Sequence, residues 1–81
     1  MTVSMRVMGY DTPAARDIDV ELSQDATVKD ALAEYLRIID LGVELSALCT
    51  SQFIVNGKAC SVKQALNDDD RLTVIRLLGG G

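Results

Sequence analysis

Residues 28–39 pose the problem that any fold of this chain must solve. Val28, Ala31, Leu32, Tyr35, Leu36 and Ile39 recur at i, i+3, i+4 and i+7. That spacing draws one apolar stripe along a helix, with Lys29, Glu34 and Arg37 lying away from it. Thr27 is a suitable N-cap, and Asp30 three residues on gives a variant capping box with Asp in place of Glu. Asp30 also suits the positive end of a helix. Gly42 is the expected stop. Tyr35 is expected at the edge of the core. The stripe must be buried against something, and a sheet face is what the rest of the sequence offers.

Residues 3–8 alternate, with Val3, Met5 and Val7 on one face and Ser4, Arg6 and Met8 on the other. Residues 17–23 alternate again, placing Ile18, Val20 and Leu22 inward and Asp17, Asp19 and Glu21 outward. Gly9-Tyr10-Asp11-Thr12-Pro13 between them is turn chemistry. After the helix, residues 43–49 fit either a short second helix or a packed loop. Phe53-Ile54-Val55 is a strand, and Asn56-Gly57 is the strongest hairpin signal in the chain. Lys58-Ala59-Cys60 returns. Residues 61–66 form a single helical turn or an irregular crossing, and Asn67-Asp68-Asp69-Asp70 is a turn. Residues 71–77 make the last strand, with Leu72 and Val74 on one face and Thr73, Ile75 and Leu77 on the other. The expected architecture is α+β: a mixed four- to five-stranded sheet packed on one main helix. Its first and last strands lie parallel at the centre, and its other face is free for solvent or a partner.

At 81 residues the chain has room for one small core, burying about 60% of its unfolded surface. A net charge of −4 argues against a nucleic-acid partner, which requires a basic face. No apolar run approaches the ~18 residues of a membrane span, so no membrane partner is expected. No secretory signal is visible, and the expected location is the cytoplasm. Histidine is absent, which removes the commonest general base near neutral pH. No glycine-rich phosphate loop is present, and Asp68-Asp69-Asp70 lacks the spacing of a calcium loop. Cys49 and Cys60 have no metal-ligand spacing, and both are expected to be free thiols buried as small hydrophobes. No metal and no cofactor of its own are expected, and the chain is not expected to be an independent enzyme.

The remaining feature is Arg76-Leu77-Leu78-Gly79-Gly80-Gly81, which divides the chain into a domain over 1–78 and a flexible tail over 79–81. Each ordered glycine gives up about 0.5–1 kcal/mol relative to alanine, so three in a row suit a thin leash better than a strand. A glycine tail taken alone is compatible with an unstructured end. Its chemical asset is a free carboxylate, ionised at neutral pH because its pKa is about 3.3–3.7, and therefore a poor electrophile until it gains a leaving group.

This element order, running into Gly80-Gly81, resembles the β-grasp family of ubiquitin and the bacterial sulfur carriers. Val55-Asn56-Gly57, the acidic turn Asp68-Asp69-Asp70, the run from Arg71 to the end, and the terminal glycine pair carry the resemblance. The spacing from Asn56 to the acidic turn is more similar to the small subunit of molybdopterin synthase than to the thiamine sulfur carrier. Three features depart from that pattern. Asp69 stands for a turn glycine, although Asp tolerates the left-handed conformation. Arg76-Leu77 stands where Pro-Pro is common, and Gly79 is an extra glycine. Phe53-Ile54-Val55, the glycine turn, Lys58, Thr73 and Ile75 are also similar to the exposed apolar binding patch of ubiquitin.

The resemblance implies a carrier, not a catalyst. A separate ubiquitin-activating-like adenylating enzyme, using ATP and magnesium, would convert Gly81 to an acyl-adenylate. A persulfide sulfur donor would displace AMP and leave a thiocarboxylate. An acceptor synthase subunit would receive the sulfur, with molybdopterin synthesis favoured over the thiamine thiazole. Gly80 would let the end pass through a narrow channel, and Gly79 would lengthen the leash. Arg76, Leu77 and Leu78 would dock at the channel mouth, and Ile54, Thr73 and Ile75 would contact the partner. The alternatives are a ubiquitin-like modifier joined to lysine and a plain β-grasp interaction module.

Overall fold

The computed structural model describes residues 1–10 and 17–77. Its elements are β1 (Thr2–Met8), β2 (Ile18–Glu21), α1 (Val28–Ile38), α2 (Leu45–Leu48), β3 (Gln52–Val55), β4 (Lys58–Cys60) and β5 (Arg71–Ile75). The sheet order is β2-β1-β5-β3-β4. β1 and β5 lie parallel at the centre, and the other pairings are antiparallel. One helix stripe thus meets one sheet face, as the alternation in β1 and the period of α1 require.

The stripe packs as its spacing dictates. Val28, Ala31, Leu32 and Tyr35 are buried, and they meet Val3, Met5, Val20, Phe53, Leu72 and Val74 from the sheet. Each Val or Leu withdrawn from water contributes about 1.5–3 kcal/mol, so this layer holds the fold together. Leu36 and Ile39 sit at its margin. Tyr35 lies inside the core instead of at its edge, and burial pushes its phenol pKa up.

The start of α1 follows the capping signal. The Asp30 carboxylate accepts the Thr27 N–H at 2.8 Å. The next two amides donate outside the helix: Val28 N–H to the Gln64 carbonyl at 2.9 Å and Lys29 N–H to the Val62 carbonyl at 3.0 Å. Leu66 N–H in turn donates to the Ala26 carbonyl at 2.9 Å. Those bonds explain why residues 61–66 cross as an irregular strap. The carbonyls that a helical turn would use are taken by the free end of α1.

The far end of α1 corrects an expectation. The helix stops at Ile38, and Ile39 is already extended, with φ −118° and ψ 124°. Gly42 is therefore not the helix stop. It sits in a later turn at φ +70°, where its N–H donates to Asp40 Oδ1 at 2.9 Å. Leaving the helix early lets Leu41 reach the core. Residues 43–49 resolve into the short α2, whose buried residue is Leu48, while Ala47 faces solvent. Likewise β2 begins at Ile18 and β5 ends at Ile75, so Leu77 lies past the paired ladder.

Candidate functional site

Two turns fix the strand that leads to the C-terminal segment. Asn56 and Gly57 have φ of +51° and +85°, the pair of left-handed residues that a tight hairpin needs. The Asn56 side chain also reaches across to β5. Its Nδ2 donates to Asp70 Oδ1 at 2.8 Å, and its Oδ1 accepts the Arg71 N–H at 2.9 Å. The Asn56 backbone N–H donates to the Arg71 carbonyl at 2.9 Å. Asp70, 8% exposed, accepts the Asn67 N–H on its other oxygen at 2.7 Å. Asp69 adopts φ +67°, so the acidic turn forms with Asp in the left-handed position. Its N–H donates to the Thr2 carbonyl at 2.8 Å, which ties the turn to the start of β1.

On the sheet face away from α1, the register brings the expected contact residues together. Thr73 stands between Arg6 on β1 and Ile54 on β3, and Ile75 stands between Met8 and Gln52. Ile54, Thr73 and Ile75 are half-buried by one another and their neighbours, and Met8 is exposed. Arg6 flanks this group and pairs with Asp17 at 2.8 Å.

At the end of β5 the chain is tied down once more. Arg76 N–H donates to the Met8 carbonyl at 3.0 Å. The Arg76 guanidinium lies over the Tyr10 ring, 5.4 Å from its centroid. The Tyr10 hydroxyl and Ser51 Oγ are 2.5 Å apart. Gly9 has φ +85°, and a Cβ there would come within 2.8 Å of Arg76 Cβ. Arg76 is therefore engaged by its own domain. Leu77 is 59% exposed. Leu78, Gly79, Gly80 and Gly81 lie outside the described residues. Tyr10, Ser51 and the Asn56–Asp70 link are site features that the sequence reading missed. A left-handed Asn at a hairpin was the visible half of the last; nothing local pairs Tyr10 with Ser51.

Cys49 and Cys60 are free and only half-buried, packed at the margin of the core and not inside it. Burial pushes the Cys60 thiol pKa up. Its thiolate fraction at neutral pH is then below that of a small free thiol, and alkylation by iodoacetamide is expected to be correspondingly slower. Peptide mapping after timed alkylation checks this; labelling of Cys60 at the rate of glutathione would contradict it. Among the described residues, no three His, Cys, Asp or Glu side chains converge as a metal site. Nor is any helix among them long and apolar enough to cross a membrane.

No protein-family model matches the sequence, and no curated protein does. Solved structures do match. The chain is similar to SAMP1 from Haloferax volcanii, with a TM-score of 0.70 and 23% identity over 100% of both chains. A second structure, of the H. volcanii small archaeal modifier protein 1, gives 0.68 and 19%, covering 95% of this chain and 98% of that one. The UBL domain of Plasmodium falciparum Dsk2 gives 0.61 and 20%, covering 95% and 97%. The fold is thus the ubiquitin-like β-grasp.

Proposed function

We propose that the chain is a sulfur carrier whose reactive group is the carboxylate of Gly81. The observation that carries the reading is the placement of β5. The strand is central in the sheet, anchored at its start by Asn56 and Asp70, and it brings the chain as far as Arg76 and Leu77, one residue short of the glycine run in the sequence. The apolar group of Ile54, Thr73 and Ile75 lies beside that exit and offers a partner a docking area.

The chemistry follows from the carboxylate. It attacks the α-phosphorus of ATP on an adenylating partner that supplies magnesium, and pyrophosphate leaves. The terminal sulfur of a cysteine persulfide then attacks the acyl carbon and AMP leaves. A second thiol cleaves the resulting acyl disulfide, yielding a thiocarboxylate and a disulfide. Glycine suits both steps because no Cβ hinders approach to the carbonyl or passage through a narrow channel. An acceptor synthase subunit receives the sulfur, and the spacing from Asn56 to the acidic turn favours molybdopterin over the thiamine thiazole as the end product.

A second reading is favoured by the likeness to proteins named small archaeal modifiers. The same acyl-adenylate would pass to a lysine amine and form an isopeptide. Intact-mass measurement distinguishes them after incubation with the adenylating enzyme, ATP, magnesium and a persulfide donor. Exchange of one oxygen for sulfur supports the carrier. Conjugates on lysine support the modifier. A chain unchanged by every adenylating enzyme of its source organism is an interaction module only.

A further inference from the structure

We propose that Arg76 is a positioning residue: it fixes the backbone at Leu77 by folding back onto Tyr10, and it does not itself contact the partner. The inference rests on the carrier reading for its kinetic test alone.

Three restraints converge on Arg76, from the consecutive residues Met8, Gly9 and Tyr10 at the end of β1. Its backbone N–H bonds the Met8 carbonyl at the end of β1, just past the last paired residue of β5. Gly9, at φ +85°, passes so close to its Cβ that no side chain fits between them. Its guanidinium covers the Tyr10 ring. That ring is itself moored, because its hydroxyl bonds Ser51, which is 9% exposed and immediately precedes β3. β3 pairs with β5 through Gln52 and Ile75. The ends of β1 and β5 and the start of β3 thus close around one residue. Among the described residues Arg76 pairs with no carboxylate, so what holds its charge in place is the ring face.

A long exposed side chain normally samples many rotamers. Here the side chain, although exposed, lies against the Tyr10 ring, and the next residue past the ladder is Leu77, which is 59% exposed. With the Arg76 charge held on the ring, Leu77 is the side chain left to meet a partner, and an apolar mouth would suit it. An exposed cation stacked on a ring shifts a population only about two- to fivefold, which makes the latch measurable without threatening the fold.

The test uses the full chain with Arg76→Ala, Tyr10→Leu and the double variant. Without any enzyme, 15N relaxation reads the order parameter of the Leu77 amide. It is expected to fall from about 0.8 to below about 0.6 in each single variant, and no further in the double. With the adenylating enzyme, kcat/KM for ATP–pyrophosphate exchange is expected to fall about two- to fivefold in each, again without addition in the double. Arg76→Lys should retain part of both signals. Where Tyr10→Leu loses the fold, Tyr10→Phe replaces it, keeping the ring and severing only the Ser51 bond, with a smaller change of the same sign. A Leu77 amide unmoved in every variant would overturn the proposal. So would additive kinetic losses, which mean that Arg76 touches the enzyme directly. If no enzyme activates the chain, the carrier reading fails, and the relaxation result still decides the latch.

Discussion

Replacing Asn56 with alanine is expected to lower the unfolding free energy by about 2–4 kcal/mol. Two effects add. Alanine at φ +51° meets the left-handed penalty of about 1–2 kcal/mol that asparagine tolerates better. Removing the amide also orphans Asp70 Oδ1 and the Arg71 N–H, and each group left without a partner costs about 1–3 kcal/mol unless water replaces it. For a domain of this size the midpoint of thermal unfolding should drop by roughly 10–25 °C. Asn56→Gly separates the two effects, since glycine takes the turn conformation freely and loses only the side-chain bonds. It should recover about 1 kcal/mol of the deficit. Calorimetry on the three proteins decides the matter. Equal midpoints for wild type and Asn56→Ala would mean that the link to Asp70 contributes nothing.

The same residue shows where sequence reading reaches its limit. Its role in the hairpin is legible because the turn is local: the next residue is glycine, and alternating strands flank both. Its hold on β5 is not legible, because Asp70 and Arg71 approach it only once the sheet has formed. The pattern repeats elsewhere. The apolar stripe of α1 and the alternation in β1 and β5 place much of the core, since each is written at a fixed period, but not Leu41, Leu48 or Leu66. The early end of α1 and the strap at residues 61–66 depend on which carbonyls meet which free amides across the fold. A propensity argument prices neither. Arg76 is the functional counterpart. Its place before the glycines marks it as part of the exit, but the sequence groups it with Leu77 and Leu78 as a docking residue. The turn that carries Tyr10 under it belongs to the other end of the chain.

Deleting Gly81 is expected to abolish sulfur uptake and to leave the unfolding free energy within about 0.5 kcal/mol of the full chain. The second half follows from the sheet, whose pairing closes at Ile75 and the Arg76 amide, and from glycine's lack of any side chain to pack. The first half is the sharper claim, because the shortened chain still ends on a glycyl carboxylate of the same reactivity. What it loses is reach, about 3.3–3.6 Å of extended backbone. In a channel that holds the acyl carbon against ATP, misplacement by even about 1 Å can cost a factor of about 100 in rate. A full residue should therefore stop the reaction although the attacking carboxylate is chemically unchanged. Gly81→Ala tests the complementary point, keeping the reach and adding a Cβ beside the carbonyl. It should adenylate slowly without being inert. Mass spectrometry of both variants after activation reads the outcome. If the chain ending at Gly80 acquires sulfur as fast as the full chain, Gly81 is not the reacting residue, and the partner measures its substrate from some point other than the anchored end of β5.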